Sequence, residues 1–372
     1  MRVAILTVHR APNCGAMLQA WALKTALERL GHHVSFPDCN HIDCRDRKVP
    51  YANAEGLSPL KAIRSTWKNF LRNLGSRDIF LPAMARFDAF RSAHLPELET
   101  VPSEFPQHYD AVVLGSDQIW NAAIMKGDTA LFLGETVPDG LRLVSYAASF
   151  GDHPPTGPDA ERLYRAARRM SALGVRERTA FDFFSVPGEF SPVVTLDPTL
   201  LIEEDAYVPL RTPCHPDTPY LYVYSLFYSR EMWERTKAVA AALGLTPVYT
   251  PLHQYTRYRM PKGLSYGVSP DRFLDLIAHA DCVMTDSFHG TALSVLHRKR
   301  FATICHSPSV GKSRQGALLG DLGLGNRLFT DASPLGDILR TLQRPFEDEA
   351  LTRLGEKRLA SLEWLENALS GR

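Results

Sequence analysis

The stretch TDSFHGT, residues 285–291, sets His289 just after the apolar run 282–284, with Asp286, Ser287, Gly290 and Thr291 beside it. An imidazole titrates near neutral pH, so His289 is suited to carry a proton to or from a reacting group. Asp286, Ser287 and Thr291 can orient the ring or meet an anion. Gly290 leaves room for a ligand at a helix start, where free N–H groups attract negative charge. The same residue types also cap helices that bind nothing. A histidine at a strand end, with a helix dipole behind it, favours chemistry over a purely structural role.

Four other junctions are similarly polar. In GVRERT, residues 174–179, Arg176 ends a short apolar run. Its guanidinium can fork onto a carboxylate or phosphate, or pair with a nearby acid such as Glu177 or Asp197. In LGSDQIWN, residues 114–121, Gly115, Ser116, Asp117 and Gln118 offer a flexible backbone, a hydroxyl, a carboxylate and an amide. The first junction, residues 9–19, carries Asn13, Gly15 and Gln19 at the start of a helix, as an anion site or an ordinary cap. The small residues of SYAASFG, 145–151, allow close approach of a backbone or ligand. Lys312 and Arg314, before a further helix, add two cations that could meet an anion.

Loops of this kind need strands and helices to aim them. Short β-branched runs at 2–8, 32–38, 109–117, 141–149, 172–177 and 192–198 read as strands. The apolar spacing of 15–31 reads as a helix, which makes the opening a βαβ unit of a doubly wound sheet. A Pro-rich stretch, 208–219, then interrupts the pattern as a linker would. Beyond it come strands at 220–226, 246–250, 281–287 and 301–306, helices near 230–243, 270–279 and from 290, and a helical tail from 346. The expected architecture is α/β, with two Rossmann-like domains, 1–207 and 208–372, facing a cleft, and the last helix packing back on the first domain. Ligands bind at the carboxyl ends of such sheets.

Composition narrows the classes. A formal net charge of +1 gives no overall field for nucleic acid. Cys39, His41 and Cys44 in CNHIDC lack the second half of a zinc pattern, so no metal is assigned, and the six cysteines fit a reducing compartment. No run of about 18 apolar residues is present. The expected location is the cytoplasm, or the cytoplasmic face of a membrane. Residues 56–77 carry five basic residues and no acid along an amphipathic stripe. That segment fits a helix lying on anionic lipid, or one packed on its own domain or a partner subunit. No P-loop, dinucleotide fingerprint, HExxH, GxSxG or kinase set is found.

Taken in order, NCGAMLQAWAL, LGSDQIWN, SYAASFG, VRERT, LDPTLL and TDSFHGTALS resemble the motifs of the polysaccharide pyruvyl transferase family, from about residue 3 to about residue 328. The resemblance implies a GT-B-like fold. It implies transfer of pyruvate from phosphoenolpyruvate to two hydroxyls of a saccharide, as a cyclic ketal, with a polysaccharide or lipid-linked precursor as acceptor. His289 then matches the family's histidine and Arg176 its arginine for the donor anion. Asp117 or Asp286 is placed to stabilise positive charge at the ketal carbon. Phosphoenolpyruvate is a substrate, and no cofactor is called for. Ala16 follows Gly15, where many members carry an acid. Two other readings stand beside this one: a sugar-nucleotide glycosyltransferase on the same fold, and a non-catalytic, membrane-associated partner in polysaccharide assembly. Acceptor identity and oligomeric state stay open.

Overall fold

The computed structural model describes residues 1–37, 77–95, 97–98, 109–125, 129–186, 188–226, 228–251, 268–306, 311 and 313–371. The basic segment 56–76, Cys39, His41, Cys44 and Lys312 lie outside the described residues. Two parallel sheets organise the described residues. The first has seven strands: β1 (Arg2–Leu6), β2 (His33–Pro37), β3 (Glu97–Leu98), β4 (Ala111–Asp117), β5 (Arg142–Ala148), β6 (Ala172–Val175) and β7 (Val193–Val194), in the order β3-β2-β1-β4-β5-β6-β7. The second has five: β8 (Tyr220–Ser225), β9 (Thr246–Pro251), β10 (Cys282–Thr285), β11 (Arg300–Ile304) and β12 (Leu328–Phe329), in the order β12-β11-β10-β8-β9.

These orders follow from the sequence pattern. β1, β4 and β8 are near-continuous β-branched or aromatic runs, buried on both faces as strands covered by helices must be. Asn13 caps the helix Cys14–Arg29 by accepting from the N–H groups of Gly15 and Ala16. Ser229 caps the helix Arg230–Leu243, and Gly244 ends it at φ +67°, a left-handed turn that favours glycine. Chain order reverses between β1 and β4 in one sheet and between β8 and β10 in the other. Those reversals open crevices at the carboxyl ends of the strands, where the loops after β1, β4 and β10 emerge.

Several boundaries differ from the sequence reading. β3 and β12 are two residues each, too short to leave a period. β7 keeps only Val193–Val194 of the run 192–198, because Asp197 turns the chain into the 3-10 helix Pro198–Leu200 and Pro198 offers no N–H to a ladder. The helix expected from 290 begins at Phe288, since Ser287 caps it by accepting from Gly290 N–H.

The long helix Glu349–Ser370 returns to the first sheet. Arg142 Nε donates to the Ala368 carbonyl at 2.7 Å, and the Trp364 ring packs 6.2 Å from that of Tyr146. One buried cluster runs from Val3, Ile5 and Val113 through Leu18 and Trp21 to Tyr222, Val283 and Leu293, so side chains of both sheets share it. No helix among the described residues is long and apolar enough to cross a membrane.

Candidate active site

Asp197 is the point on which the site converges. Its Oδ1 accepts from the N–H and hydroxyl of Thr199 at 3.0 and 2.7 Å. Oδ2 accepts from Arg176 Nη1 at 3.0 Å and from Ser116 Oγ at 3.3 Å, and lies 3.6 Å from His289 Nε2. Burial alone would raise this carboxyl. The neighbouring His289, then Arg176 and Thr199, outweigh burial and hold it well below the ordinary carboxylate range.

Arg176 is buried at the end of β6, and further acids face it: Asp117 Oδ1 is 3.6 Å from Nη2 and Glu177 Oε2 is 3.7 Å from Nε. Both distances exceed hydrogen-bond range, so Nε and Nη2 are buried without a hydrogen-bond partner among the described residues. Burial works against the Arg176 charge, but Asp197, Asp117 and Glu177 more than restore it. The Glu177 carboxyl is pushed up by burial, against the pull of Arg176 and Arg314.

His289 belongs to the second sheet's crevice yet lies against the first helix. A Cβ on Gly15 would fall 2.2 Å from His289 Nδ1 and 2.4 Å from its Cγ, so glycine is required there by close approach. Next to it, the Phe288 ring carries the Arg176 guanidinium at 4.6 Å and the Arg314 guanidinium at 5.9 Å. Arg314 has no ion pair among the described residues, and burial together with repulsion from Arg176 pulls its pKa down. From this cluster a cleft of about 540 Å³ extends past Arg178, Val193 and Val194 to Leu318, Lys357 and Trp364. Two of its cations are already paired, Arg178 with Asp182 and Lys357 with Asp321, both at 2.9 Å. Arg176 Nε and Nη2 and Arg314 Nε are buried N–H groups at this cleft without a hydrogen-bond partner among the described residues.

Residues 13–308 match the polysaccharide pyruvyl transferase family. The chain belongs to that family. No curated protein matches the sequence. Among solved structures, the chain is similar to a candidate UDP-N-acetylglucosamine 2-epimerase from Listeria monocytogenes, at 11% identity and TM-score 0.50, covering 97% of this chain and 90% of that one. It is also similar to the UDP-GlcNAc 2-epimerase of Methanocaldococcus jannaschii (12% identity, TM-score 0.49, 98% and 100% covered). A third is the glycosyltransferase SnogD from Streptomyces nogalater (16% identity, TM-score 0.42, 99% of each chain covered). At such identities the likeness concerns the fold, which with its two parallel sheets is GT-B-like.

In this member of the pyruvyl transferase family, Arg176, Asp117, Ser116, His289 and Arg314 come together around Asp197 and Phe288. Gly15 is the floor under His289. Other residues singled out in the sequence serve the frame. The Asn13 side chain is occupied as a cap. Gln19 Nε2 donates to Thr7 Oγ1 and the Ala16 carbonyl, both at 2.9 Å. Gln118 Oε1 accepts from Asn121 Nδ2 at 2.8 Å. Gly115 packs on the Tyr146 carbonyl and Gly290 on Thr285 Oγ1, where a Cβ would fall at 2.0 and 2.3 Å.

Ser287, Thr291 and Asp286, expected to orient His289 or to meet an anion, have their side chains engaged elsewhere. Ser287 Oγ is taken by Gly290 N–H, which removes that N–H as a free anion donor. Thr291 Oγ1 meets the Ser287 carbonyl and Thr303 Oγ1 at 3.0 and 2.9 Å. The Asp286 carboxylate turns to the end of β8, accepting from Ser225 Oγ and Leu226 N–H at 2.7 Å each, with His306 Nε2 at 3.3 Å. The carboxylate beside His289 is Asp197, which the sequence reading weighed only as a partner for Arg176. Its position, just after the apolar run 193–196, was the same strand-end signal that singled out Arg176 and His289. Glu177 and Phe288 carried no comparable signal.

Proposed function

We propose that this chain transfers the pyruvate unit of phosphoenolpyruvate onto two hydroxyls of a saccharide, forming a cyclic ketal and releasing phosphate. The observation that carries the reading is the buried Arg176 guanidinium, whose Nε and Nη2 have no hydrogen-bond partner among the described residues beside a histidine held near a carboxylate. A planar fork with unused donors suits the carboxylate or phosphate of a small polyanion. Arg314, across the Phe288 ring, supplies the second cation.

The reaction balances without an oxidant, a reductant or a further cofactor. A proton adds to the donor's methylene carbon, making it a methyl group, and one sugar hydroxyl attacks the adjacent carbon. The second hydroxyl then takes the place of phosphate. Of the two hydroxyl protons, one is accounted for on the methyl group and one leaves with phosphate. His289 is the group that moves protons, and the Asp197 carboxylate lies 3.6 Å from its Nε2. Asp117, on the Arg176 side, is the carboxylate assigned to the developing positive charge at the ketal carbon. The acceptor occupies the cleft toward Val193 and Trp364, whose mixed apolar and polar walls suit a saccharide, free or lipid-linked. Contact of residues 56–77 with the inner membrane face belongs to the same proposal for a lipid-linked acceptor.

Thermal melting tests the donor assignment. Phosphoenolpyruvate should raise the melting temperature of the wild type, and Arg176→Ala should abolish that shift. Free phosphate and sugar nucleotides should not reproduce it. Stabilisation by a sugar nucleotide and none by phosphoenolpyruvate would replace the reading with a glycosyltransferase. Over a panel of saccharides, phosphate release with appearance of a new methyl signal then identifies the acceptor. Folded His289→Ala should fall at least ~100-fold in that assay.

A further inference from the structure

Away from the cleft, His215, Asp275 and His279 meet where the connecting segment before β8 crosses the helix Pro270–His279. Asp275 and His279 lie one turn apart on the same helix face. His215 Nδ1 is 2.8 Å from Asp275 Oδ2, and His279 Nδ1 is 3.2 Å from Asp275 Oδ1. The two imidazoles stack with centroids 3.9 Å apart and planes 17° from parallel. One ligand atom from each of the three residues falls within 4.8 Å of the other two. The carboxylate is fixed from behind, because the N–H groups of Cys214 and His215 donate to Asp275 Oδ2 at 2.6 and 2.9 Å. Asp275 is buried, whereas the histidine side chains are 33% and 44% exposed, so an ion can arrive from solvent.

We propose that these three side chains form a binding site for a divalent transition-metal ion of the zinc class, which fastens the connecting segment to the helix. Two imidazoles with one carboxylate select zinc, cobalt or nickel over magnesium or calcium, which take oxygen. Tetrahedral zinc at ~2.0–2.1 Å from each ligand holds its ligand atoms ~3.3 Å apart. The widest separation here closes by at most ~1.5 Å through rotation of the two partly exposed rings, with the buried carboxylate as the fixed point. Each imidazole ligates as the neutral form: a doubly protonated ring gives one proton to solvent, and a neutral ring keeps its N–H on the nitrogen that does not meet the ion. The fourth position goes to water. The backbone N–H groups on Asp275 are the outer hydrogen bonds that orient a metal-binding carboxylate. None of these residues lines the cleft, so the site is independent of the reaction proposed above.

The test uses the full chain, free of any affinity tag and stripped with chelator. Zinc chloride titrated by calorimetry should bind one equivalent at a site shared by His215 and His279, and should raise the melting temperature. Magnesium should do neither. His279→Gln and His215→Gln should each weaken zinc affinity at least tenfold, while their metal-free melting temperatures report that both remain folded. Cobalt(II) should give the visible absorption of a tetrahedral site in the wild type and lose it in the double variant. No zinc-dependent stabilisation of the wild type would overturn the proposal. Undiminished affinity in the double variant would overturn it too, by placing the ion elsewhere.

Discussion

Gly15→Ala is the smallest change that separates the position of His289 from its chemistry. The added methyl would sit 2.2 Å from His289 Nδ1, where ordinary contact begins near 3.4 Å, so the ring or the helix start must yield by about 1.2 Å. The helix start is held by the Asn13 cap, and His289 follows directly on Phe288, whose ring is faced by Arg176. The imidazole is therefore the part that moves. Its Nε2 lies 3.6 Å from Asp197 Oδ2, so a displacement of that size changes the pairing whichever way the ring goes. Overpacking of this kind costs about 1–3 kcal/mol, a fall of a few degrees in melting temperature. A reacting group misplaced by ~1 Å costs about 100-fold in turnover. The expected result is a folded protein, stabilised by phosphoenolpyruvate through an intact Arg176, with turnover down about 100-fold and a shifted His289 ring signal in the NMR spectrum. Unchanged ring signal and melting temperature would refute the contact. A moved ring with wild-type turnover would refute His289 as the proton carrier.

Asp197→Asn should destabilise by about 3–5 kcal/mol in urea unfolding at pH 7, because it leaves Arg176 and His289 short of a buried counter-charge. Since the folded Asp197 pKa is depressed, its contribution is present above the unfolded value near 3.9 and is lost as pH falls below it. The wild type should therefore lose stability more steeply than Asp197→Asn below about pH 4. His306 behaves with the opposite sign. Its hydrogen bond to Asp286, opposed by burial and aided by Asp331, raises it to about 9. That contribution is full below the unfolded pKa near 6.5 and fades as pH rises through 9. Asp286→Asn should flatten stability over that window and leave phosphoenolpyruvate protection intact, as melts at pH 6 and pH 10 would reveal. Gly174→Ala would bring a Cβ to 2.7 Å from Trp364 and 2.8 Å from the Ser145 carbonyl. It should lower the melting temperature and raise the exposure of the 349–370 helix to limited proteolysis.

The strands and their polar ends were readable because a buried parallel strand is a compact apolar run, and the residues just beyond it stand out. That alone picked out Arg176, His289, Asp117 and Gly15. What the sequence could not supply was direction. Asp286 and Asp197 both follow apolar runs, yet Asp286 faces Ser225 because β10 pairs with β8 in the register Thr285 to Tyr224. Asp197 faces the cleft because a turn at Pro198 redirects the chain. Pairing register and a single proline set those outcomes, and neither leaves a periodic trace. The contact between Gly15 and His289 joins residues from different sheets, so no local pattern could announce it.

The buried cluster shared by both sheets bears on how substrates come and go. Two halves joined only by a linker can swing apart as rigid jaws, with a few backbone torsions absorbing the change. Here Leu18 and Trp21 of the first helix and Leu293 of the 288–296 helix belong to a single apolar interior. Swinging the halves apart would expose that interior to water, at a cost that grows with the area uncovered. Small sliding of packed helices and rearrangement of the loops at the cleft mouth are the motions that avoid it. Entry and release of a ligand are then governed locally, while Arg176, Asp197 and His289 keep their relative positions.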